Sequence, residues 1–225
     1  MLANNNYYIG IDLGGTRIKA GLVADGKLQA LEVVPAVAAQ GLKASLPLMQ
    51  QAVEQLIHSQ QLDRADLSGI ALAFPGLVNS VTQRILSTNQ KYNDAIDTDL
   101  PAWVQEQWQV PFFIDNDARM ATVGEWKYGA GQGTNDLVAM TIGTGVGSSA
   151  IINGQLLRGK HFQAGCLGGH ISIHYKGRQC NCGNIGCVEA HASTWSLQET
   201  ILQDPALNYS LLAQSPRLDF SALFE

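Results

Sequence analysis

We predict that the chain is organised around residues 169–189, which read G-H-I-S-I-H-Y-K-G-R-Q-C-N-C-G-N-I-G-C-V-E. Three of the four cysteines fall here, at Cys180, Cys182 and Cys187, and His170 lies ten residues before the first of them. Thiolates and a neutral imidazole are the ligands that tetrahedral Zn²⁺ prefers, and a site closed by four protein ligands is structural. The pattern therefore predicts a structural zinc site.

The glycines of this stretch support the same prediction. Gly183 and Gly186 reach positive φ without steric cost, which lets the backbone turn tightly enough for three sulfurs to converge. The fourth ligand position stays open at this point, because the spacing does not distinguish His170 from His174.

Composition favours a folded protein that handles small molecules. The chain has 225 residues, 46% of them apolar, and a formal net charge of −5. With no run of like charges, this argues against nucleic acid or an anionic membrane as the main partner. The first residues resemble no signal peptide, and no apolar run approaches the ~18 residues of a membrane helix. We expect a cytoplasmic protein in which clustered cysteines bind metal and Cys166 is buried.

The hydrophobic pattern contains a weak internal duplication. A strand, a glycine turn, a strand, a hairpin turn and a strand occur near residues 7–34 and again near 137–157. Between them we predict a helix around residues 49–57, strands at 69–73 and 112–114, a helix at 99–108 and a helix from about 115 to 129. Two such α/β halves facing each other would place the two glycine turns on either side of one cleft.

The two glycine turns are candidate phosphate sites. Asp12-Leu-Gly14-Gly15-Thr16 offers backbone N–H groups, a hydroxyl, and a carboxylate that could hold Mg²⁺ through waters. An ordinary hairpin turn explains this pentapeptide equally well. The second turn, Gly143-Thr144-Gly145-Val146-Gly147, is not a Walker loop, since no Gly-Lys-Ser/Thr follows it. Two such turns in one chain favour a triphosphate site.

Asn116 and Asp117 lie where a buried strand ends and a helix begins. Ligands of α/β sheets collect at such carboxyl ends, which makes both residues candidates for the reaction. The alternative is that Asp115 or Asp117 only caps the helix, a role that aspartate often takes.

Taken together, these segments resemble the ROK family of sugar kinases and sugar-responsive repressors. The resemblance rests on Asp12–Thr16, Pro75-Gly76, Asn116-Asp117-Ala118, Gly143–Gly147, Gly169-His170 and the cysteine loop ending at Glu189, in this order. It implies an α/β, actin-like two-domain fold of the acetate and sugar kinase, Hsp70 and actin type, with a central cleft. We place the domains at residues 1–115 and 116–225, the second one incomplete.

The resemblance also implies a role for each matching residue. Asp12, Gly14, Gly15, Thr16 and residues 143–147 would surround the phosphates of ATP, with Mg²⁺. Gly76, Asn116, Asp117, His170 and Glu189 would contact the sugar, and Asp117 would be the catalytic base. His170, Cys180, Cys182 and Cys187 match the family's zinc ligands, which selects His170 over His174.

The sequence departs from the family pattern in three places. The family's kinases usually carry Gly-Glu-x-Gly-His, whereas this chain has Gly165-Cys166 and no carboxylate before Gly169-His170. Ser148 and Ser149 replace glycines that often follow the second turn. Family members also continue past the last residue here, so we expect a fragment with poor ATP affinity and exposed apolar residues such as Leu211, Leu212, Leu223 and Phe224.

The expected function is an ATP-dependent hexokinase-type phosphotransferase that acts on a hexose hydroxyl, the 6-OH, with glucose favoured. An N-acetylhexosamine kinase is the alternative, followed by a sugar-binding module without turnover. A repressor is disfavoured, because the eleven residues before Asp12 are too few for a helix-turn-helix. We also expect a homodimer that binds neither nucleic acid nor membrane.

Overall fold

A computed structural model of the chain describes residues 6–88 and 91–210. The apolar residues expected near the end of the chain, 211–225, lie outside this part. No helix among the described residues is long and apolar enough to cross a membrane.

Ten strands and five α-helices make up the described chain. The strands are β1 Tyr7–Leu13, β2 Arg17–Ala24, β3 Lys27–Pro35, β4 Leu67–Phe74, β5 Gly76–Asn79, β6 Arg84–Thr88, β7 Phe112–Asn116, β8 Leu137–Ile142, β9 Val146–Ile152 and β10 Gln155–Leu156. The helices are α1 Leu42–Ser59, α2 Leu100–Trp108, α3 Asp117–Tyr128, α4 Glu189–Ala192 and α5 Thr194–Gln203.

The chain divides into two compact units. The first comprises Met1–Ala121 with Lys160–Phe162, and the second comprises Thr122–Gly159 with Gln163–Glu225. The division therefore falls inside α3, and the predicted domain boundary after residue 115 stays a prediction.

The first unit is built on a five-stranded sheet in the order β3-β2-β1-β4-β7. β1, β2 and β3 form an antiparallel meander, while β4 and β7 run parallel to β1. The apolar face of α1 closes the core with Met49, Val53 and Leu56, all buried. Because β4 and β7 are parallel, their carboxyl ends meet at one edge, and that edge carries Gly76, Asn116 and Asp117.

The second unit repeats the meander in the three-stranded sheet β10-β9-β8. In both units a glycine turn joins the first two strands and an Asx-Gly turn joins the next two. Asp25-Gly26 and Asn153-Gly154 both have positive φ at each residue, 51° and 70° in either case. This is the geometry that favours Asx-Gly in two-residue hairpins, and it confirms the two hairpins predicted from these dipeptides.

Three details differ from the predicted elements. The hairpin β5–β6 follows Pro75 and was not predicted, because its strands are short and β6 ends in polar residues. Helix α1 begins at Leu42, ahead of the predicted core of that helix. Cys166 is half-buried, so the expectation that it is fully buried is wrong.

Candidate functional site

The predicted site residues lie in two groups, one in each unit. Asp12–Thr16, Gly76, Asn116 and Asp117 belong to the first unit. Residues 143–147, His170, the three clustered cysteines and Glu189 belong to the second.

In the first group, Asn116 fixes the start of α3. Its Oδ1 accepts from the N–H of Arg119 at 3.2 Å, the contact of a helix N-cap. Its Nδ2 donates to the carbonyl of Gly76 at 3.1 Å and to Oδ1 of Asp117 at 2.9 Å. The helix-capping role that the sequence offered to Asp115 or Asp117 is thus taken by Asn116, whose two amide protons are both used within the protein.

Asp117 keeps one oxygen without a hydrogen bond in the described part of the chain. Both hydrogen bonds found for its carboxylate, from Ala118 N–H and Asn116 Nδ2, end on Oδ1. Burial raises the pKa of Asp117 above its ordinary value, while the N–H of Ala118 lowers it and the charge of Asp12 raises it further. A held carboxylate with a raised pKa and an oxygen that accepts no hydrogen bond from the described residues has the features of a general base.

Behind Asp117 lies a buried ion pair that the sequence did not reveal. Arg119 is fully buried, and its Nη1 lies 3.4 Å from Oδ1 of Asp115, four residues earlier in β7. Its Nη2 donates to the carbonyl of Phe162 at 2.9 Å. These contacts fix the first turn of α3, where Asp117 lies. The spacing of the two residues gives no signal for this pair, because residues four apart face each other within a helix and Asp115 lies in β7.

The first glycine turn joins β1 to β2. The N–H of Gly14 donates to the carbonyl of Arg17 at 3.0 Å and closes the turn. The amides of Gly15 and Thr16 make no hydrogen bond among the described residues, so they remain able to bind an anion. Asp12 is half-exposed and pairs with Lys19 across the strands at 3.3 Å.

In the second group, His170, Cys180, Cys182 and Cys187 converge as the sequence predicted. Their ligand atoms all lie within 4.8 Å of one another. Sγ of Cys180 is 3.8 Å from Nδ1 of His170, and Sγ of Cys182 is 3.7 Å from Sγ of Cys187. Donors of a tetrahedral zinc are about 3.5–3.8 Å apart for Zn–S near 2.3 Å and Zn–N near 2.0 Å. These two distances agree with that spacing, and three thiols with one imidazole are donors that zinc prefers.

Two thiols of this cluster, those of Cys180 and Cys187, are disfavoured in their ionised form. Burial raises the pKa of Cys180 to about 12 and also raises that of Cys187. At neutral pH these thiols stay protonated unless a metal displaces the proton. His174 is not among the clustered donors, and its ring instead lies 5.7 Å from that of His191.

The residues that flank the cluster hold the second glycine turn. Glu189, two residues after Cys187, accepts from the N–H of Val146 through Oε2 at 2.9 Å. Gly169, immediately before His170, packs against the carbonyl of Val146 so closely that a Cβ there would lie 1.9 Å from the oxygen. The N–H and the carbonyl of Val146 are thus both contacted by residues that lie within two positions of a cluster donor.

Two further contacts complete this arrangement. The N–H of Thr194 donates to the carbonyl of Gly143 at 2.8 Å, at the other end of the turn. A Cβ at Gly145 would lie 2.5 Å from Oε2 of Glu189, so the carboxylate requires a glycine there. The sequence pointed to Glu189 as a sugar contact and did not reveal its contact with this turn.

Ser148 takes a structural part near the position where the family pattern has a glutamate. Its hydroxyl donates to the carbonyl of Gly165 at 2.6 Å and accepts from the N–H of Gly168 at 2.8 Å. Ser148, which replaces a glycine of the family pattern, therefore holds the loop that leads to His170 through two hydrogen bonds. Cys166 lies in this loop and its Sγ contacts the carbonyl of Gln163 at 3.4 Å.

Comparison with known proteins identifies the class. The model of the ROK family matches residues 8–217. A glucokinase of Halalkalibacterium halodurans is 33% identical over 84% of this chain and 57% of its own length. A xylose repressor of Bacillus subtilis is 29% identical over 87% of this chain and 50% of its own length.

Among solved structures, a ROK glucokinase from Streptomyces griseus in complex with glucose and AMPPNP superposes with a TM-score of 0.76. It is 30% identical, over 88% of this chain and 61% of that chain. The protein is thus a mixed α/β protein with the actin-like fold of the sugar kinases. The chain belongs to the ROK family. It spans about half the length of the curated relatives it matches.

The cluster geometry predicts about one equivalent of Zn²⁺ per chain, measured by plasma mass spectrometry on purified protein. Cys182→Ser removes one of four ligands and should lower zinc content at least tenfold, whereas Cys166→Ser should leave it unchanged. Zinc affinity should rise with pH, since each coordinating thiol loses a proton. Full zinc content in the Cys182→Ser protein would contradict the assignment.

The contact between Glu189 and Val146 predicts that amide exchange at Val146 depends on the carboxylate. Glu189→Ala removes the acceptor, so exchange at Val146 should accelerate at least tenfold in hydrogen–deuterium exchange. Glu189→Gln keeps an acceptor oxygen and should retain most of the protection. Ile11 in β1 is the control amide. Equal exchange at Val146 in the Ala variant and the wild type would refute the contact.

Proposed function

We propose that the protein to which this chain belongs phosphorylates a hexose hydroxyl with ATP. The observation that carries the proposal is Asp117, a carboxylate fixed at the carboxyl end of β7, with a raised pKa and one oxygen left for a substrate proton. The first glycine turn, with its two available amides, belongs to the same compact unit. Homology to a glucokinase supports the same chemistry.

In the proposed reaction, Oδ2 of Asp117 accepts the proton of the sugar 6-OH. The resulting oxygen forms a bond to the γ-phosphorus in line as the bond from that phosphorus to the β-γ bridging oxygen breaks, and ADP leaves. The amides of Gly15 and Thr16 would hold phosphate oxygens, and Asp12 would hold Mg²⁺ through waters. The family resemblance assigns the second glycine turn to the phosphates as well, although the N–H groups of Gly143 and Val146 are bonded to Gly145 and Glu189. Phosphoryl transfer of this kind depends on positioning and charge stabilisation rather than on covalent chemistry.

We propose Gly76, Asn116, His170 and Glu189 as sugar contacts, as the family resemblance implies. Since both amide protons of Asn116 are already bonded, its main contribution is to fix Asp117 and Gly76. The Cys₃His cluster would hold structural zinc, which orders the loop on both sides of His170 and Glu189.

A second candidate function follows from the xylose repressor match. A sugar-responsive regulator would bind sugar at the same residues without transferring phosphate. Sugar binding without sugar-dependent ATP consumption, together with DNA binding by the whole protein, would favour that function. The homodimer and the cytoplasmic location expected from the sequence remain proposals.

Replacing the base gives the direct test of the catalytic role. Asp117→Asn keeps the shape and the hydrogen bonds but accepts no proton, so kcat in the whole protein should fall by about 10²–10⁴-fold. Sugar affinity should change far less. The wild-type rate should rise with pH through the raised pKa of Asp117, because only the ionised form is a base, and the variant should lack this limb. Near-normal kcat in Asp117→Asn would show that Asp117 serves only structure.

The substrate is tested by a panel of glucose, mannose, fructose, allose, N-acetylglucosamine and N-acetylmannosamine, compared by kcat/KM. We expect glucose to lead, with relaxed discrimination near C1–C2 because the family's glutamate before Gly-His is missing. If another sugar exceeds glucose tenfold, or about 1.4 kcal/mol in transition-state binding, the choice of glucose is wrong while the kinase assignment stands.

A further inference from the structure

Lys91 lies beside the first glycine turn. A Cβ placed on Gly15 would lie 2.7 Å from Nζ of Lys91 and 3.0 Å from its Cε. The lysine side chain therefore runs across the face of Gly15, and a side chain at position 15 would displace the end of the lysine. Lys91 is half-buried in this position.

The residue that follows, Tyr92, ties this segment to the turn. Tyr92 is fully buried, and its hydroxyl donates to the carbonyl of Gly14 at 2.7 Å. Its N–H donates to the carbonyl of Ala38 at 3.1 Å. Burial raises the pKa of Tyr92 to about 12, so the phenol remains a donor at physiological pH. The backbone of Lys91 is thus held at a fixed place next to the turn.

The ammonium of Lys91 has neither an ion pair nor a hydrogen bond with any described residue, unlike Lys19, which pairs with Asp12. Its charge nonetheless acts on this site, because it lowers the pKa of Asp117 while the charge of Asp12 raises it. Beside it, the amides of Gly15 and Thr16 also lack partners among the described residues. One cation and two backbone donors at one turn form a cradle for an oxyanion.

We propose that Lys91 is a catalytic residue that binds the transferred phosphoryl group at the first glycine turn. Its ammonium donates to a non-bridging oxygen of the γ-phosphate and stays protonated throughout. The sugar proton goes to Asp117, and the electron pair of the broken P–O bond leaves with ADP. A fixed cation at the equatorial oxygens of a loose, metaphosphate-like transition state stabilises the charge that develops there.

This inference rests on the proposed kinase function, and binding of inorganic tripolyphosphate tests it without requiring turnover. Isothermal titration of the full chain with tripolyphosphate and Mg²⁺ compares the wild type with Lys91→Met, Lys91→Arg and Lys19→Met. Methionine keeps the length of the side chain and removes its charge, arginine keeps the charge, and Lys19 is a second lysine near the same turn. Circular dichroism confirms that each variant is folded.

We expect Lys91→Met to weaken tripolyphosphate binding at least tenfold, Lys91→Arg to stay within about threefold, and Lys19→Met to have the smaller effect of the two methionine variants. Wild-type protein that binds no tripolyphosphate, binding by Lys91→Met within twofold of the wild type, or an equal loss in Lys19→Met would each overturn the inference.

Sugar-dependent ATP consumption in wild type and Lys91→Met separates the two proposals. Weakened binding with no transfer by the wild type would refute only the kinase, and undiminished binding and transfer in Lys91→Met would refute only Lys91.

Discussion

The convergence of three thiols and one imidazole is the constraint on which the second unit depends. Cys180 and Cys187 are buried in a cluster completed by Ala190 and Trp195, too small to order a long polar loop by apolar burial alone. The ligand atoms lie within 4.8 Å of one another, close enough to share one metal ion, and metal binding energy would supply what the small core lacks. Gly169 and Glu189 flank the cluster donors, and both contact Val146 in the second glycine turn. Ordering the cluster would therefore also order that turn.

The first unit achieves its order by different means. A continuous apolar core between the five-stranded sheet and α1 fixes the strands, and the parallel pair β4–β7 brings Gly76 and Asn116 to one edge. At that edge, polar contacts fix the positions of the side chains. Asn116 caps α3 and orients Asp117, and the buried pair Asp115–Arg119 holds the same turn from behind. Removing one partner of such a buried pair would be costly, because the other charge would stay buried without compensation.

Many of these features were predicted from the sequence, and those that were not predicted were missed for physical reasons. Spacing predicted a site of three cysteines and one histidine, because ligand chemistry restricts which residues close a metal site, and the family resemblance selected His170 over His174. Asx-Gly predicted both hairpins because few residues tolerate positive φ. The contact of Glu189 with Val146, the clamp of Ser148 and the position of Lys91 beside Gly15 were not predicted. Each joins residues that are 17 to 76 positions apart through a single side chain, and no periodicity or motif records such pairs. The sequence did not predict that Asn116 caps the helix, because Asp115, Asn116 and Asp117 are adjacent and have similar cap propensity. Only the folded backbone determines which of the three side chains reaches the free N–H groups of the first turn.

X-ray absorption at the zinc edge of the purified protein tests the central claim most directly. The account predicts one zinc per chain with three sulfur neighbours at about 2.3 Å and one nitrogen at about 2.0–2.1 Å. A protein without zinc, a sphere with fewer than three sulfurs, or a disulfide between Cys182 and Cys187 would contradict it.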